Sequence, residues 1–115
     1  MSFKPVILIY DLDNKLVDEI AAEIGATSVR TLAEVTAAAD VIFTVVTDDA
    51  SQLGVFAEKG DSLLVGASGK TFVNCATLSP GIHREVYLAG KAAGADVLEG
   101  AMASSISHAR EGKLY

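Results

Sequence analysis

Val41-Ile-Phe-Thr-Val-Val-Thr-Asp-Asp-Ala50 decides the fold. From Val41 to Val46 the run holds no charge and is rich in β-branched residues. A strand covered on both faces by helices needs such a continuous run, whereas a strand with one wet face alternates. Thr47, Asp48 and Asp49 follow, and Asp48 or Asp49 caps a helix that ends near Gly60. On the near side, Thr31-Leu-Ala-Glu34 reads as a capping box opening a short helix to about Ala39, with Asp40 before the strand.

The same alternation continues outward. Val6–Tyr10 is a second apolar run, and Asp13 caps a helix over about 14–24 that Gly25 stops. Leu16, Ile20 and Ile24 recur every four residues and are expected to face inward; a short strand follows near Thr27–Val29. Downstream, Asp61–Lys70 is looser, with a turn of helix at Ser62–Val65, and Thr71–Ala76 is a strand. Ser79-Pro80 supplies N-cap and first helical position for a helix to about Gly94, with Ile82, Val86 and Ala89 inward. Asp96–Met102 is the last strand, and Ala103–Tyr115 is Ser-rich and weakly patterned. Five strands alternating with four main helices predict a parallel sheet covered on both faces, in a single domain over 1–115.

Bulk properties exclude several classes. The 115 residues suffice for one modest core. A net charge of −6, with no Lys/Arg cluster, argues against a nucleic-acid footprint. No apolar run is long enough to span a membrane, and the N-terminus lacks the long apolar region of a signal peptide. A lone Cys75 fits a reducing, cytoplasmic setting, and Cys75 with His83 and His108 gives no metal-ligand spacing.

Ligands of a doubly wound sheet bind beyond the carboxyl ends of its strands. The residues there are Asp11 and Asp13, then Thr47, Asp48 and Asp49, then Ala76, Thr77 and Ser79, and finally the segment from Gly100 through Ile106. Asp13, Asp48 and Asp49 read as helix caps. Asp11 reads equally as a cap or as an acceptor for ribose hydroxyls. Gly66-Ala-Ser-Gly-Lys-Thr71 lacks the phosphate-loop glycine, since position 64 is Leu, and a strand rather than a helix follows it. A receiver-type phosphorelay domain would suit the acidic strand ends, but Met102-Ala103-Ser104 lacks the lysine such a domain needs. His83 is expected at the surface, and Cys75 as a small core residue rather than a nucleophile.

Three segments, in order, resemble the β-hydroxyacid dehydrogenase family, which includes 3-hydroxyisobutyrate dehydrogenase and is related to 6-phosphogluconate dehydrogenase. Val41–Ala50 is similar to the family's V-[IV]-x-x-[ML]-[LV]-P-D segment. Val73-Asn-Cys-Ala-Thr-Leu-Ser-Pro80 is similar to its V-D-x-S-T-[IV]-S-P, and Glu99–Leu114 is similar to its substrate-loop signature. The resemblance implies a truncated Rossmann-type three-layer sandwich and an NAD(P)-binding role. By the resemblance, Asp11 favours NAD over NADP, Val46 and Thr47 lie against the cofactor, and Thr77 lies near the nicotinamide. Thr47 replaces the family's usual Pro, and Ala76 its usual Ser. Ala103 stands where the family has its substrate-binding Ser, so Ser104 and Ser105, in place of paired glycines, are the substitute substrate contacts; His108 stands for a third glycine.

The family's G-x-G-x-x-G loop and the strand before it have no counterpart, since no two glycines of this chain are separated by a single residue. Its catalytic lysine domain has none either, so no catalytic residue is assigned and the chain is not expected to be active alone. The family strand order 3-2-1-4-5-6 then implies a sheet open between the equivalents of strands 2 and 4. The opening closes if those strands pair directly, if a partner supplies a strand, or if two copies swap elements. The expectation is a homodimer, strand-swapped or not, acting as an NAD-binding remnant or as an interaction module that reuses the fold.

Overall fold

A computed structural model describes residues 7–76 and 78–100. Thr77, Ala103, Ser104, Ser105 and His108 therefore lie outside the described residues, as does the end of the last expected strand. Element order is β1 (Leu8–Ile9), α1 (Asn14–Ile24), β2 (Thr27–Ser28), α2 (Leu32–Ala38), β3 (Val41–Thr44), α3 (Asp49–Val55), β4 (Thr71–Asn74), α4 (Pro80–Ala92) and β5 (Asp96–Glu99). Among the described residues no helix is long and apolar enough to cross a membrane.

Local chemistry sets these boundaries. Asp13 caps α1 by accepting the Leu16 N–H at 3.1 Å. Gly25 ends α1 at φ 73°, in the left-handed region that glycine enters without steric cost. Thr31 caps α2 through the Glu34 N–H, and its hydroxyl in turn donates to the Glu34 carboxylate. The Asp61 carboxylate adds a long-range cap by accepting the Leu32 and Ala33 N–H groups at 2.8 and 3.0 Å. Thr36 Oγ1 donates to the Leu63 carbonyl at 2.7 Å, which ties α2 to the loop after α3.

Among the described residues all strand pairing is parallel, in two sheets: β1–β2, and β3–β4–β5. Of the three ways to close the opening, direct pairing of β1 with β3 is not formed among the described residues. The core lies on one face of the three-stranded sheet. Ile42, Phe72 and Val97 stand side by side in register and pack with Phe56, Leu63 and Val86. Tyr10, just past β1, and Val35 of α2 pack against this same core, so both sheets share it.

Two expectations about helix faces are corrected. Leu16, Ile20 and Ile24 are exposed, and α1 instead buries Val17 and Ala21. Val17 and Ala21 have the same four-residue spacing one position on, so that spacing marks a stripe without deciding which of two neighbouring stripes is buried. His83, expected at the surface, is 9% exposed, because it shares the inward face of α4 with Val86 and Gly90. That face follows the spacing of three and four residues that packs one side of a helix.

Candidate functional site

Asp11, Val46 and Thr47, expected to face a ligand, stand just past the carboxyl ends of β1 and β3, in different sheets. Asp11 is exposed two residues after β1, and its Oδ1 accepts the Asp13 N–H at 3.0 Å. One carboxylate oxygen of Asp11 thus leans on the residue that opens α1, while Asp13 takes the capping role expected of it. Val46 is half-buried and Thr47 exposed just after β3. Thr47 Oγ1 donates to Asp48 Oδ2 at 3.3 Å. Asp48 caps α3 through the Ser51 N–H at 2.7 Å. That N–H, then the Ser51 hydroxyl, hold the Asp48 carboxyl below the ordinary carboxylate range.

Asp49 does something the sequence reading missed. Its carboxylate accepts the Ser79 N–H at 3.2 Å and the Ser79 hydroxyl at 3.0 Å. The hydroxyl of Ser79 therefore does not cap α4, as had been expected from Ser79-Pro80. Instead it pins the loop after β4 to the start of α3. The clamp joins the two loops that carry Thr47 and Ala76.

Beneath these loops runs a row of polar residues on the covered face. Thr44, Asn74 and Glu99 stand side by side in register at the carboxyl ends of β3, β4 and β5. Thr44 Oγ1 donates to Asn74 Oδ1 at 2.8 Å, and Gln52 Nε2 of α3 donates to Thr44 Oγ1 at 3.2 Å. Gln52 and Asn74 are fully buried, and His83 Nδ1 sits 3.8 Å from Glu99 Oε1. Sequence reading missed the row, although Asn74 breaks an otherwise apolar strand end and His83 lies three residues before Val86.

Cys75 is half-buried, and burial pushes its thiol pKa up. A raised thiol is mostly protonated and a poor nucleophile, in keeping with a small packing residue. Among the described residues no group of three or more His, Cys, Asp or Glu side chains gathers to hold a metal.

The arrangement fits the sugar end of a dinucleotide: an exposed carboxylate at the end of β1 offers the two acceptor oxygens that a ribose diol needs. It does not fit the pyrophosphate end. That group needs closely approaching backbone N–H groups at a helix N-terminus, and the sequence has no G-x-G to allow the approach.

Residues 5–115 match the family described as the NAD binding domain of 6-phosphogluconate dehydrogenase. Similar solved structures include an oxidoreductase from Mycobacterium avium 104, 27% identical, with a TM-score of 0.79 over 95% of this chain and 38% of that one. A 3-hydroxyisobutyrate dehydrogenase from Mycobacterium tuberculosis, solved with L-serine, is 21% identical, with a TM-score of 0.84 over 95% of this chain and 36% of that one. An imine reductase from Myxococcus stipitatus, solved with NADP+, is 23% identical, with a TM-score of 0.74 over 90% of this chain and 35% of that one. The chain thus spans little more than a third of each. No curated protein matches it at a significant level.

Proposed function

The chain belongs to the family of the NAD binding domain of 6-phosphogluconate dehydrogenase, and from that premise we propose that it is a partial NAD-binding unit of a cytoplasmic β-hydroxyacid dehydrogenase of the 3-hydroxyisobutyrate type, inactive as the 115-residue chain. The observation that carries this reading is the position of Asp11 and Thr47 at the carboxyl ends of β1 and β3, in two sheets that do not join. In open parallel sheets a dinucleotide lies beyond the carboxyl ends of the strands, where the strand order reverses.

When bound, the nicotinamide would supply hydride transfer to or from a small hydroxyacid. The residues of this chain bind and orient. Asp11 accepts the ribose hydroxyls, and its charge repels the 2′-phosphate of NADP. Val46 supplies an apolar wall. Asp49 and Ser79 hold the Thr47 and Ala76 loops together. Among the described residues none is assigned proton transfer to substrate, and the sequence holds no G-x-G to cradle the pyrophosphate.

Saturation-transfer NMR with NAD+ and NADP+ tests the reading. The expected result is weak binding of NAD+, with Kd near 1 mM or weaker, equivalent to about 4 kcal/mol. Ribose protons should show the strongest transfer, NADP+ should bind more weakly, and Asp11→Asn should remove the preference. Micromolar binding, or a preference for NADP+, would contradict it.

A further inference from the structure

Three buried polar atoms have no hydrogen-bond partner among the described residues: Gln52 Oε1 of α3, Asn74 Nδ2 of β4 and His83 Nδ1 of α4. The side chains that carry them are buried. A buried polar atom without a partner forfeits its hydration, so folded proteins pair nearly all such atoms, with protein groups or with ordered water. Two of the three are an acceptor and a donor on different side chains, and each lies beside the same polar row.

The fold brings the three together. The clamp of Asp49 on Ser79 fixes the start of α3 against the start of α4. Gln52 follows Asp49 by three residues, and His83 follows Ser79 by four, its N–H donating to the Ser79 carbonyl at 3.3 Å. These spacings return to the same side of a helix one turn on. Gln52 and His83 therefore stand one turn below the clamp, where α3 meets α4. Asn74 lies under them. Thr44 Oγ1 donates to Asn74 Oδ1 at 2.8 Å and accepts from Gln52 Nε2 at 3.2 Å, so the two amides flank one hydroxyl. Glu99 stands beside Asn74 in register, and His83 Nδ1 lies 3.8 Å from its Oε1, which puts the imidazole on the β5 side of Asn74. That gap is too long for a hydrogen bond.

We propose that Gln52, Asn74 and His83 form a binding site for one ordered water molecule. The water accepts from Asn74 Nδ2 and donates to Gln52 Oε1 and to His83 Nδ1. That uses both of its protons, and it gives the water about three hydrogen bonds, the usual complement of an internal water. A larger ligand does not suit side chains as enclosed as Gln52 and Asn74. The assignment also fixes the imidazole: Nδ1 accepts, so His83 is neutral with its proton on Nε2. The water then ties both helices to the middle strand of the three-stranded sheet, beneath the loops that carry Thr47 and Ala76. The proposal does not depend on cofactor binding, and its test is read without NAD.

A high-resolution crystal structure of the chain tests the site. The expected result is a water oxygen within hydrogen-bond distance of Gln52 Oε1, Asn74 Nδ2 and His83 Nδ1. A protein atom in that position, a direct bond between the Gln52 and Asn74 amides, or no density there would overturn the proposal. Nitrogen-15 NMR of the imidazole tests the protonation. A proton on Nε2 alone is expected; a proton on Nδ1, with the ring closed onto the Glu99 carboxylate, would contradict the assignment. Thermal melts test whether the residues share a partner in solution. Gln52→Leu and His83→Leu should each lower the melting midpoint by about 5 °C, and the double variant should lose clearly less than the two shifts together, since either change alone breaks the shared site. Strict additivity would show that the two residues share nothing. If a variant fails to fold, the crystal and imidazole results on the parent chain decide.

Discussion

Phe72→Ala is expected to bring this domain to the edge of unfolding, with a loss of about 3–5 kcal/mol. Phe72 is fully buried at the centre of β4, between Ile42 and Val97 in register, and its ring meets Phe56 edge-on with centroids 5.1 Å apart. Small domains have a total stability of roughly 5–15 kcal/mol, so the melting midpoint should fall by about 15 °C or more. The informative comparison is Phe43→Ala, one strand over. That side chain is exposed on the opposite, bare face of the sheet, and its truncation should change stability by no more than about 0.5 kcal/mol. Thermal melts of the two variants distinguish the dry face from the bare one. Similar losses in both would mean that the faces are wrongly assigned.

Gly90→Ala is the second large effect, and its sign runs against helix propensity. Alanine in place of glycine inside a helix ordinarily gains about 1 kcal/mol. Here a Cβ at Gly90 would overlap Val97 Cγ2, because α4 crosses β5 at backbone distance. The helix or the strand must shift, and overpacking of this kind costs about 1–3 kcal/mol. Urea titration should therefore show Gly90→Ala to be less stable than the parent. Val97→Ala removes the obstructing methyl, so the double variant should be more stable than the sum of the single effects predicts, by about 1 kcal/mol. Additive losses would show that α4 is not seated on Val97.

Much of the fold was legible because local chemistry dictates it. Asp13, Thr31 and Asp48 each precede a helix and each accept an N–H three residues on, as their residue types foretell. Gly25 stands where a left-handed residue must end α1. The run at Val41 announced a strand meant to be covered twice, and Phe43 and Val45 keep that apolar character although their face is bare. What was not legible depends on partners distant in the chain. The apolar stripe at Leu16, Ile20 and Ile24 revealed a face but not what covers it. Asp49 looks like a spare cap until Ser79, thirty residues on, is seen to hold it. His83 looks like a surface histidine until α4 is laid on the sheet. At the candidate site, the places of Asp11 and Thr47 just past strand ends were legible from the pattern of strands, while a role for either in binding a cofactor came from the family resemblance. The polar row of Thr44, Gln52 and Asn74 needed the register of β3 with β4 to come into view.

Among the described residues the sheet is interrupted between β1 and β3, and the candidate cofactor position lies at the carboxyl ends of these two strands. Residue-resolved amide hydrogen exchange on the chain alone tests this most directly. The N–H groups of Ile42 and Thr44 point toward β4 and should be strongly protected, while those of Val41 and Phe43 point into the opening and should exchange close to the unprotected rate. Protection of Phe43 equal to that of Ile42 would show that the edge of β3 is already paired, and the interrupted sheet would be contradicted.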